Sequence, residues 1–83
     1  MTKIIIYTKD NCPYCVWAKN FLDQKKLAYD EVRVDLDTNQ LQYMIEKSGR
    51  RTVPQIFIND QPIGGYDDLV ALENAGELDK LIS

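Results

Sequence analysis

The chain of 83 residues has no histidine, only two cysteines and no long apolar run. Without histidine it has no Cys-His or Ser-His catalytic pair and no imidazole metal ligand. A bilayer span needs about 20 apolar residues, and the short apolar run after Met1-Thr2-Lys3 does not match a signal peptide. We therefore expect one soluble cytoplasmic domain over residues 1–83, with no membrane contact.

Excess positive charge is also missing. Asp and Glu number 13 against 10 Lys and Arg, so the formal net charge is −3 at pH 7. A protein that binds a polyphosphate backbone needs positive surface to do so. The charge balance therefore argues against a nucleic-acid partner.

The two cysteines are the main chemical clue, and they stand close together in Cys12-Pro13-Tyr14-Cys15. A disulfide between them closes a loop too short to stabilise a fold strongly. A structural zinc site needs four ligands, so this pair would need a second chain to complete one. An isolated C-x-x-C in a short chain therefore favours redox chemistry, with a shared metal or a chance pairing as alternatives.

The hydrophobic pattern predicts an α/β fold with the element order β-α-β-α-β-β-α. A strand–helix–strand start gives a right-handed parallel crossover, and the two-residue turn Asn59-Asp60 gives an antiparallel hairpin. The result is a mixed four-stranded sheet flanked by helices. The predicted strands are 3–7, 30–35, 55–58 and 61–63, and the last is an edge strand because it contains Pro62. The first two helices are predicted from Cys12 to about Lys25 and from a cap at Thr38 or Asn39 to Gly49. A third helix runs from Asp67-Asp68 to Gly76, and a last helical turn covers 78–82.

This pattern places Cys12 at a helix N-terminus, because Pro13 suits the first helical turn. A helix N-terminus and a nearby cation, here Lys9, stabilise a thiolate and make it a good leaving group. Cys15 falls on the apolar face of the helix, together with Ala18. We predict an exposed nucleophile at Cys12 and a buried resolving thiol at Cys15.

Three motifs resemble the glutaredoxin family, in its dithiol form, over essentially the whole chain. They are Cys12-Pro13-Tyr14-Cys15 after the first strand, Thr52-Val53-Pro54 before the third strand, and Gly64-Gly65-Tyr66-Asp67-Asp68 before the third helix. The resemblance implies a thioredoxin-like fold and an enzyme that uses glutathione to reduce protein disulfides and glutathione mixed disulfides, without a metal. It also implies a cis peptide bond before Pro54, which lets the Val53 backbone pair with the cysteinyl unit of glutathione.

The same resemblance implies a glutathione site with a backbone edge and charges at both ends. Backbone N–H groups at the third helix would hold the γ-glutamyl carboxylate, and a helix carboxylate would hold the ammonium. Lys9 and one arginine, Arg51 or alternatively Arg50, would hold the glycine carboxylate. The expected glutathione-binding residues are Lys9, Tyr14, Arg51, Thr52, Val53, Pro54, Gly65, Tyr66, Asp67 and Asp68.

Several alternatives stay open on sequence grounds. Trp17 lies opposite Cys15 on the helical wheel, and either covers a helix flank together with Phe21 or lines a docking surface for protein disulfides. The protein could also be a redoxin recharged by a flavoprotein reductase, a glutathione-binding module without catalysis, or an iron–sulfur carrier built from two chains. Pro13 argues against the carrier, because cluster-binding relatives more often have a smaller or more flexible residue there. We expect a monomer that acts on disulfide-containing or glutathionylated proteins.

Overall fold

A computed structural model describes residues 2–82 and confirms the predicted α/β architecture, a mixed four-stranded sheet flanked by helices. No helix in this range is long and apolar enough to cross a bilayer. The elements are, in chain order, β1 (Ile4–Thr8), α1 (Pro13–Gln24), β2 (Asp30–Arg33), α2 (Thr38–Ser48), β3 (Gln55–Ile58), β4 (Gln61–Gly64), α3 (Tyr66–Asn74) and α4 (Leu78–Ile82).

The strands lie in the order β2-β1-β3-β4. β1 runs parallel to β2 and antiparallel to β3, with Ile5 opposite Asp30 on one side and Phe57 on the other. Because β1 is paired on both sides and covered on both faces, its β-branched side chains Ile4 and Ile6 are buried. β4 is an edge strand, as its proline predicts.

Two apolar clusters cover the two faces of the sheet. The larger one joins the sheet to helices α1, α3 and α4, and the smaller one joins it to α2 around Met44 and Phe57. Burying one such aliphatic side chain contributes about 1.5–3 kcal/mol, so these clusters hold the helices against the sheet. The larger cluster comprises Ile4, Ile6, Ala18, Leu22, Ile56, Ile58, Leu69 and Leu78.

Helix α2 is capped by Asp37, so the prediction of Thr38 or Asn39 is wrong. The Asp37 carboxylate accepts hydrogen bonds from the N–H groups of Asn39 at 3.0 Å and Gln40 at 3.2 Å. A carboxylate can accept two of the free N–H groups and also interacts favourably with the helix dipole. The end of α2 at Gly49 is as predicted, with φ +73.

Strand boundaries differ from the prediction by one or two residues. β1 extends to Thr8, and β2 ends at Arg33 because the Leu36 N–H donates to the Arg33 carbonyl in a turn at 3.2 Å. Val34 still points inward, as its alternation with Arg33 predicts, and is only 7% exposed. The turn brings the end of β2 beside the loop that joins β1 to α1.

Candidate active site

The two cysteines lie where β1 passes into α1. Cys12 has an extended conformation (φ −121, ψ 97) and is the N-cap of α1, with Pro13 in the first turn. The Cys15 N–H donates to Cys12 Sγ at 3.2 Å, so the sulfur caps the helix. Cys12 and Cys15 form a disulfide, with Cα atoms 5.2 Å apart. The predicted placement of a cysteine at a helix N-terminus is confirmed.

The burial of the two cysteines is less unequal than predicted. Cys15 is 2% exposed and lies beside the fully buried Ala18, as its position on the apolar stripe predicts. Cys12 is only 9% exposed, so the prediction of an exposed nucleophile is wrong for the disulfide form. Its sulfur is covered by the turn before β3, where the Val53 carbonyl oxygen lies 3.8 Å away.

The turn before β3 carries the cis peptide bond between Val53 and Pro54 that the resemblance implied. The last paired residue of β3 at this end is Gln55, opposite Tyr7. The backbone of Thr52 and Val53 therefore lies beyond the ladder that joins β3 to β1, next to the sulfur of Cys12. Backbone in this position is available to pair with a peptide ligand.

Gln55 fastens this turn, and the sequence analysis did not identify it as a site residue. Its side chain is 1% exposed, and its Nε2 donates to the Thr52 carbonyl at 3.0 Å and to Thr52 Oγ1 at 3.3 Å. The Oε1 atom of Gln55 is buried and has no hydrogen-bond partner within residues 2–82. The sequence did contain an indication of this role: Gln55 is the one amide in a strand whose other residues are apolar and buried, and a buried polar group needs a hydrogen-bond partner.

A groove of about 300 Å³ runs from Tyr14, which lies between the two cysteines in sequence, to the N-terminus of α3. It brings together eight of the ten predicted glutathione-binding residues, together with Arg50. The lining residues are Tyr14, Arg50, Thr52, Val53, Pro54, Gly65, Tyr66, Asp67 and Asp68.

The other two predicted residues, Lys9 and Arg51, line an adjoining cavity of about 430 Å³. This cavity shares Thr52 and Val53 with the groove, so the two spaces meet at the turn before β3. Neither Lys9 nor Arg51 forms an ion pair with any other residue in the range 2–82. Two positive charges without an ion pair among these residues therefore stand at one end of the combined surface, in a cavity that is also lined by Asp35, whose carboxylate pairs with Arg33.

Arg50 and Asp68 form an ion pair at the other end, which the sequence analysis did not predict. Asp68 Oδ2 accepts from the Gly65 N–H at 2.9 Å and from Arg50 Nη1 at 2.9 Å. The Gly65 N–H, and after it the Arg50 guanidinium, hold the pKa of the Asp68 carboxyl below its ordinary value. Asp68 thus caps the first turn of α3. Arg50 lines the groove away from Lys9, so Arg51 is the arginine that lines the same cavity as Lys9.

Tyr14, Trp17 and the partly buried Tyr66 form a group of three rings, called here the aromatic cluster. The ring centroids are 5.0 Å apart for Tyr14 and Trp17, 5.9 Å for Trp17 and Tyr66, and 6.2 Å for Tyr14 and Tyr66. Tyr14 and Trp17 are each 51% exposed. Phe21, which one of the two alternatives paired with Trp17, packs against the larger core cluster, whereas Trp17 reaches across to Tyr66 at the start of α3.

A cleft of about 530 Å³ is lined by Cys12 and Cys15 together with charged side chains, and it was not predicted. In this cleft Glu31 Oε2 accepts from Thr8 Oγ1 at 2.7 Å and from Lys19 Nζ at 3.0 Å. The Thr8 hydroxyl, and then Lys19, lower the pKa of Glu31, so the carboxylate stays ionised beside the lysine. Residues 2–82 contain no cluster of three or more His, Cys, Asp or Glu side chains suited to a metal ion.

A cysteine pair at a helix N-terminus, facing a cis-proline turn at one end of a mixed sheet, defines a thioredoxin-like thiol–disulfide redox protein. The glutaredoxin family model matches residues 4–63, which include the cysteine pair and the turn before β3. Glutaredoxin 3 of Escherichia coli strain K12 is 49% identical over 82 residues, covering 99% of both chains.

Solved structures agree with this match. The solution structure of glutaredoxin from Brucella melitensis has a TM-score of 0.85 and 45% identity, covering 99% of this chain and 89% of that one. The crystal structure of a buckwheat glutaredoxin–glutathione complex has a TM-score of 0.87 and 26% identity, covering 98% of this chain and 76% of that one. The chain belongs to the glutaredoxin family. It is a glutathione-dependent thiol–disulfide oxidoreductase with a Cys12/Cys15 dithiol.

Proposed function

We propose that Cys12 is the nucleophile of this reaction and Cys15 its resolving thiol. The observation that carries the assignment is the position of Cys12 Sγ, which receives the Cys15 N–H at 3.2 Å and borders the turn that edges the groove. A helix N–H and the helix dipole both favour the thiolate over the thiol. Cys15, at 2% exposure, lies behind Cys12 and is reached by a substrate only after Cys12 has reacted.

The proposed dithiol reaction has three steps. The Cys12 thiolate attacks one sulfur of a protein disulfide, forms a mixed disulfide with it and releases the other protein sulfur as a thiolate. Cys15 gives its proton to solvent and attacks the Cys12 sulfur, which releases the second protein thiolate and leaves the Cys12–Cys15 disulfide. Two molecules of glutathione then reduce this disulfide and become glutathione disulfide, so two electrons pass from glutathione to the substrate.

Glutathione itself is proposed to bind along the groove with its cysteinyl unit beside Val53. The Val53 backbone, which lies beyond the ladder of β3 and β1 and next to the Cys12 sulfur, supports this position. The N-terminal turn of α3, which begins at Tyr66, offers N–H groups to the γ-glutamyl carboxylate. Asp67 would take the ammonium, because the Asp68 carboxylate is already bonded to the Gly65 N–H and to Arg50.

At the other end, Lys9 and Arg51 are proposed to bind the glycine carboxylate. Both line the cavity that adjoins the groove at Thr52 and Val53, and both lack a carboxylate partner among the other described residues. A ligand carboxylate there would form charge-assisted hydrogen bonds that no residue of the chain already satisfies. The charges of the ligand and of the site are therefore complementary at both ends.

We further propose that the chain is a single domain over residues 1–83 that acts as a cytoplasmic monomer on disulfide-containing and glutathionylated proteins. All residues of the proposed site come from one chain, so no second copy is needed to complete it. A reactive dithiol is kept reduced where glutathione is abundant, which favours the cytoplasm. Size-exclusion chromatography with light scattering measures the oligomeric state directly.

The test of the cysteine roles compares two substrates in two variants. In Cys15→Ser, release of 2-mercaptoethanol from its mixed disulfide with glutathione should persist, because glutathione alone can free Cys12. Reduction of a protein disulfide should fall to a small fraction of the wild-type rate, because the mixed disulfide has no internal resolving thiol. In Cys12→Ser both activities should disappear, and turnover that survives in this variant would overturn the assignment.

A further inference from the structure

The proposed binding of glutathione leaves Trp17 without a role. Trp17 does not line the groove, yet its ring lies against Tyr14 and Tyr66, which do. About half of its surface faces solvent. The aromatic cluster therefore extends the wall of the groove outward by one large apolar side chain, beyond the part that a tripeptide ligand would contact.

The direction of the groove decides which part of a larger substrate would meet this extension. Under the proposed function, the γ-glutamyl unit of glutathione, which precedes its cysteine, lies at the N-terminus of α3, and the glycine, which follows it, lies near Lys9 and Arg51. A protein segment that pairs with Val53 in the same direction places the residue before its reactive cysteine at the α3 end. Tyr66, the first residue of α3, stands at that end and is in ring contact with Trp17.

We propose that the aromatic cluster of Tyr14, Trp17 and Tyr66 selects protein disulfides in which the reactive cysteine is preceded by an aromatic or large aliphatic residue. The partner is an extended polypeptide held covalently at Cys12, and the apolar side chain before its cysteine packs on the exposed face of Trp17 and Tyr14. This specificity rests on the proposed binding direction. It deepens the proposed function by naming the substrate class of the first dithiol step.

The opposite end of the surface makes the preference asymmetric. The residue after the reactive cysteine faces a cavity lined by the charged side chains of Lys9, Arg51 and Asp35 beside Val34 and Leu41, so it meets no aromatic ring there. An apolar residue should therefore help mainly before the cysteine. General stickiness of an exposed aromatic patch would help equally at both positions, so the asymmetry separates the proposal from nonspecific adhesion.

The experiment measures the first turnover without glutathione. Reduced protein is mixed with the symmetric disulfide of a pentapeptide that has cysteine at its centre, and the formation of oxidised protein is followed by acid quenching. Because the two halves of the peptide disulfide are identical, attack on either sulfur gives the same adduct. Three peptides are compared, with Phe before the cysteine, Phe after it, or Ser at both positions, in wild type, Trp17→Ala, Trp17→Phe and Leu36→Ala.

Leu36 is the matched control, because it is an exposed apolar residue at 75% exposure and lies outside the groove and the aromatic cluster. In wild type and Leu36→Ala we expect the peptide with Phe before cysteine to react about tenfold faster than the other two, the discrimination typical of one apolar contact. Trp17→Ala should bring it within about twofold of the Ser peptide, and Trp17→Phe should restore most of the difference.

A second substrate separates failure of this inference from failure of the proposed function. The mixed disulfide of glutathione and 2-mercaptoethanol should be reduced by Trp17→Ala within about twofold of the wild-type rate. The inference is overturned if wild type shows no preference, if Phe helps equally after the cysteine, or if the preference survives in Trp17→Ala. Equal losses on peptide and glutathione substrates in Trp17→Ala also overturn it, whereas a wild-type chain inactive on the glutathione substrate contradicts the proposed function itself.

Discussion

Replacing Gly64 with Ala should disturb the groove through the helix that borders it. Gly64 has φ +111, a conformation that residues with a Cβ rarely adopt. A Cβ at this position would overlap the carboxyl group of Asp68, with its Cγ at 2.6 Å and its Cβ at 2.8 Å. Asp68 would have to leave the position from which it accepts the Gly65 N–H and binds Arg50.

The magnitude is the sum of two effects. A side chain in a sparsely populated backbone region costs about 1–3 kcal/mol. Loss of the capping hydrogen bond costs about 1 kcal/mol, and the ion pair adds little because both side chains are substantially exposed. We expect Gly64→Ala to lower the free energy of unfolding by about 2–4 kcal/mol.

Urea unfolding followed by far-ultraviolet circular dichroism measures this change, and a double-mutant cycle with Asp68→Ala tests its cause. Once Asp68 is truncated there is no cap left to lose, so the double variant should be about 1 kcal/mol more stable than the sum of the single effects. Gly76→Ala is the matched control, since Gly76 also has positive φ (+73), but apart from its two chain neighbours no other described residue has an atom within 4 Å of an added Cβ. Strictly additive effects of Gly64→Ala and Asp68→Ala would refute the reasoning, as would a Gly64→Ala change no larger than that of Gly76→Ala.

Three further predictions follow from the same structure. The lowered pKa of Glu31 contributes stability that is present above the unfolded-state pKa of about 4.3 and is lost as the pH falls through the pKa of the folded protein. Thr8→Val removes the hydroxyl that is the main cause of the lowered pKa. In this variant the urea midpoints between about pH 5 and 3 should therefore fall less steeply than in wild type. Lys9→Ala or Arg51→Ala should raise the KM for glutathione several-fold at low salt and less at high salt, with kcat nearly unchanged; a salt-independent effect would argue against charge recognition. Leu69→Ala should cost about 2–5 kcal/mol in urea unfolding because Leu69 is fully buried, and a cost below about 1 kcal/mol would contradict its place in the core.

The parts of the site that were predictable from sequence are local. Cys12, Pro13 and Cys15 belong to one helix start, so helical periodicity and the preference of proline for the first turn suffice to place both sulfurs. The parallel crossover of β1 and β2 and the antiparallel hairpin after Ile58 were predictable from chirality and loop length, whereas the pairing of β1 with β3 in the middle of the sheet was not predicted. The resemblance then named the residues of the groove by their motifs.

The parts that were missed depend on contacts between distant segments. Arg50 and Asp68 are 18 positions apart and meet only because the turn before β3 faces the N-terminus of α3. Trp17 has Phe21 as its helical neighbour, but packing of α1 beside α3 gives it Tyr66 instead. The position of Asp37 as a cap was missed for a local reason, since several polar residues in a row could each begin the helix.

The cap of α1 has a thermodynamic consequence, because the atom that begins the helix is also the atom that gains and loses electrons. Cys12 Sγ accepts the Cys15 N–H, and its capacity to accept depends on whether it is a thiolate, a thiol or part of a disulfide. Folding and reduction thus form a closed thermodynamic cycle. The oxidised and reduced chains differ in their free energy of unfolding. This difference equals the free energy by which folding shifts the dithiol–disulfide equilibrium away from its position in the unfolded chain. A substitution that changes the folded state of one redox form more than the other must therefore also change how readily the protein gives up electrons, even at a position that no substrate touches.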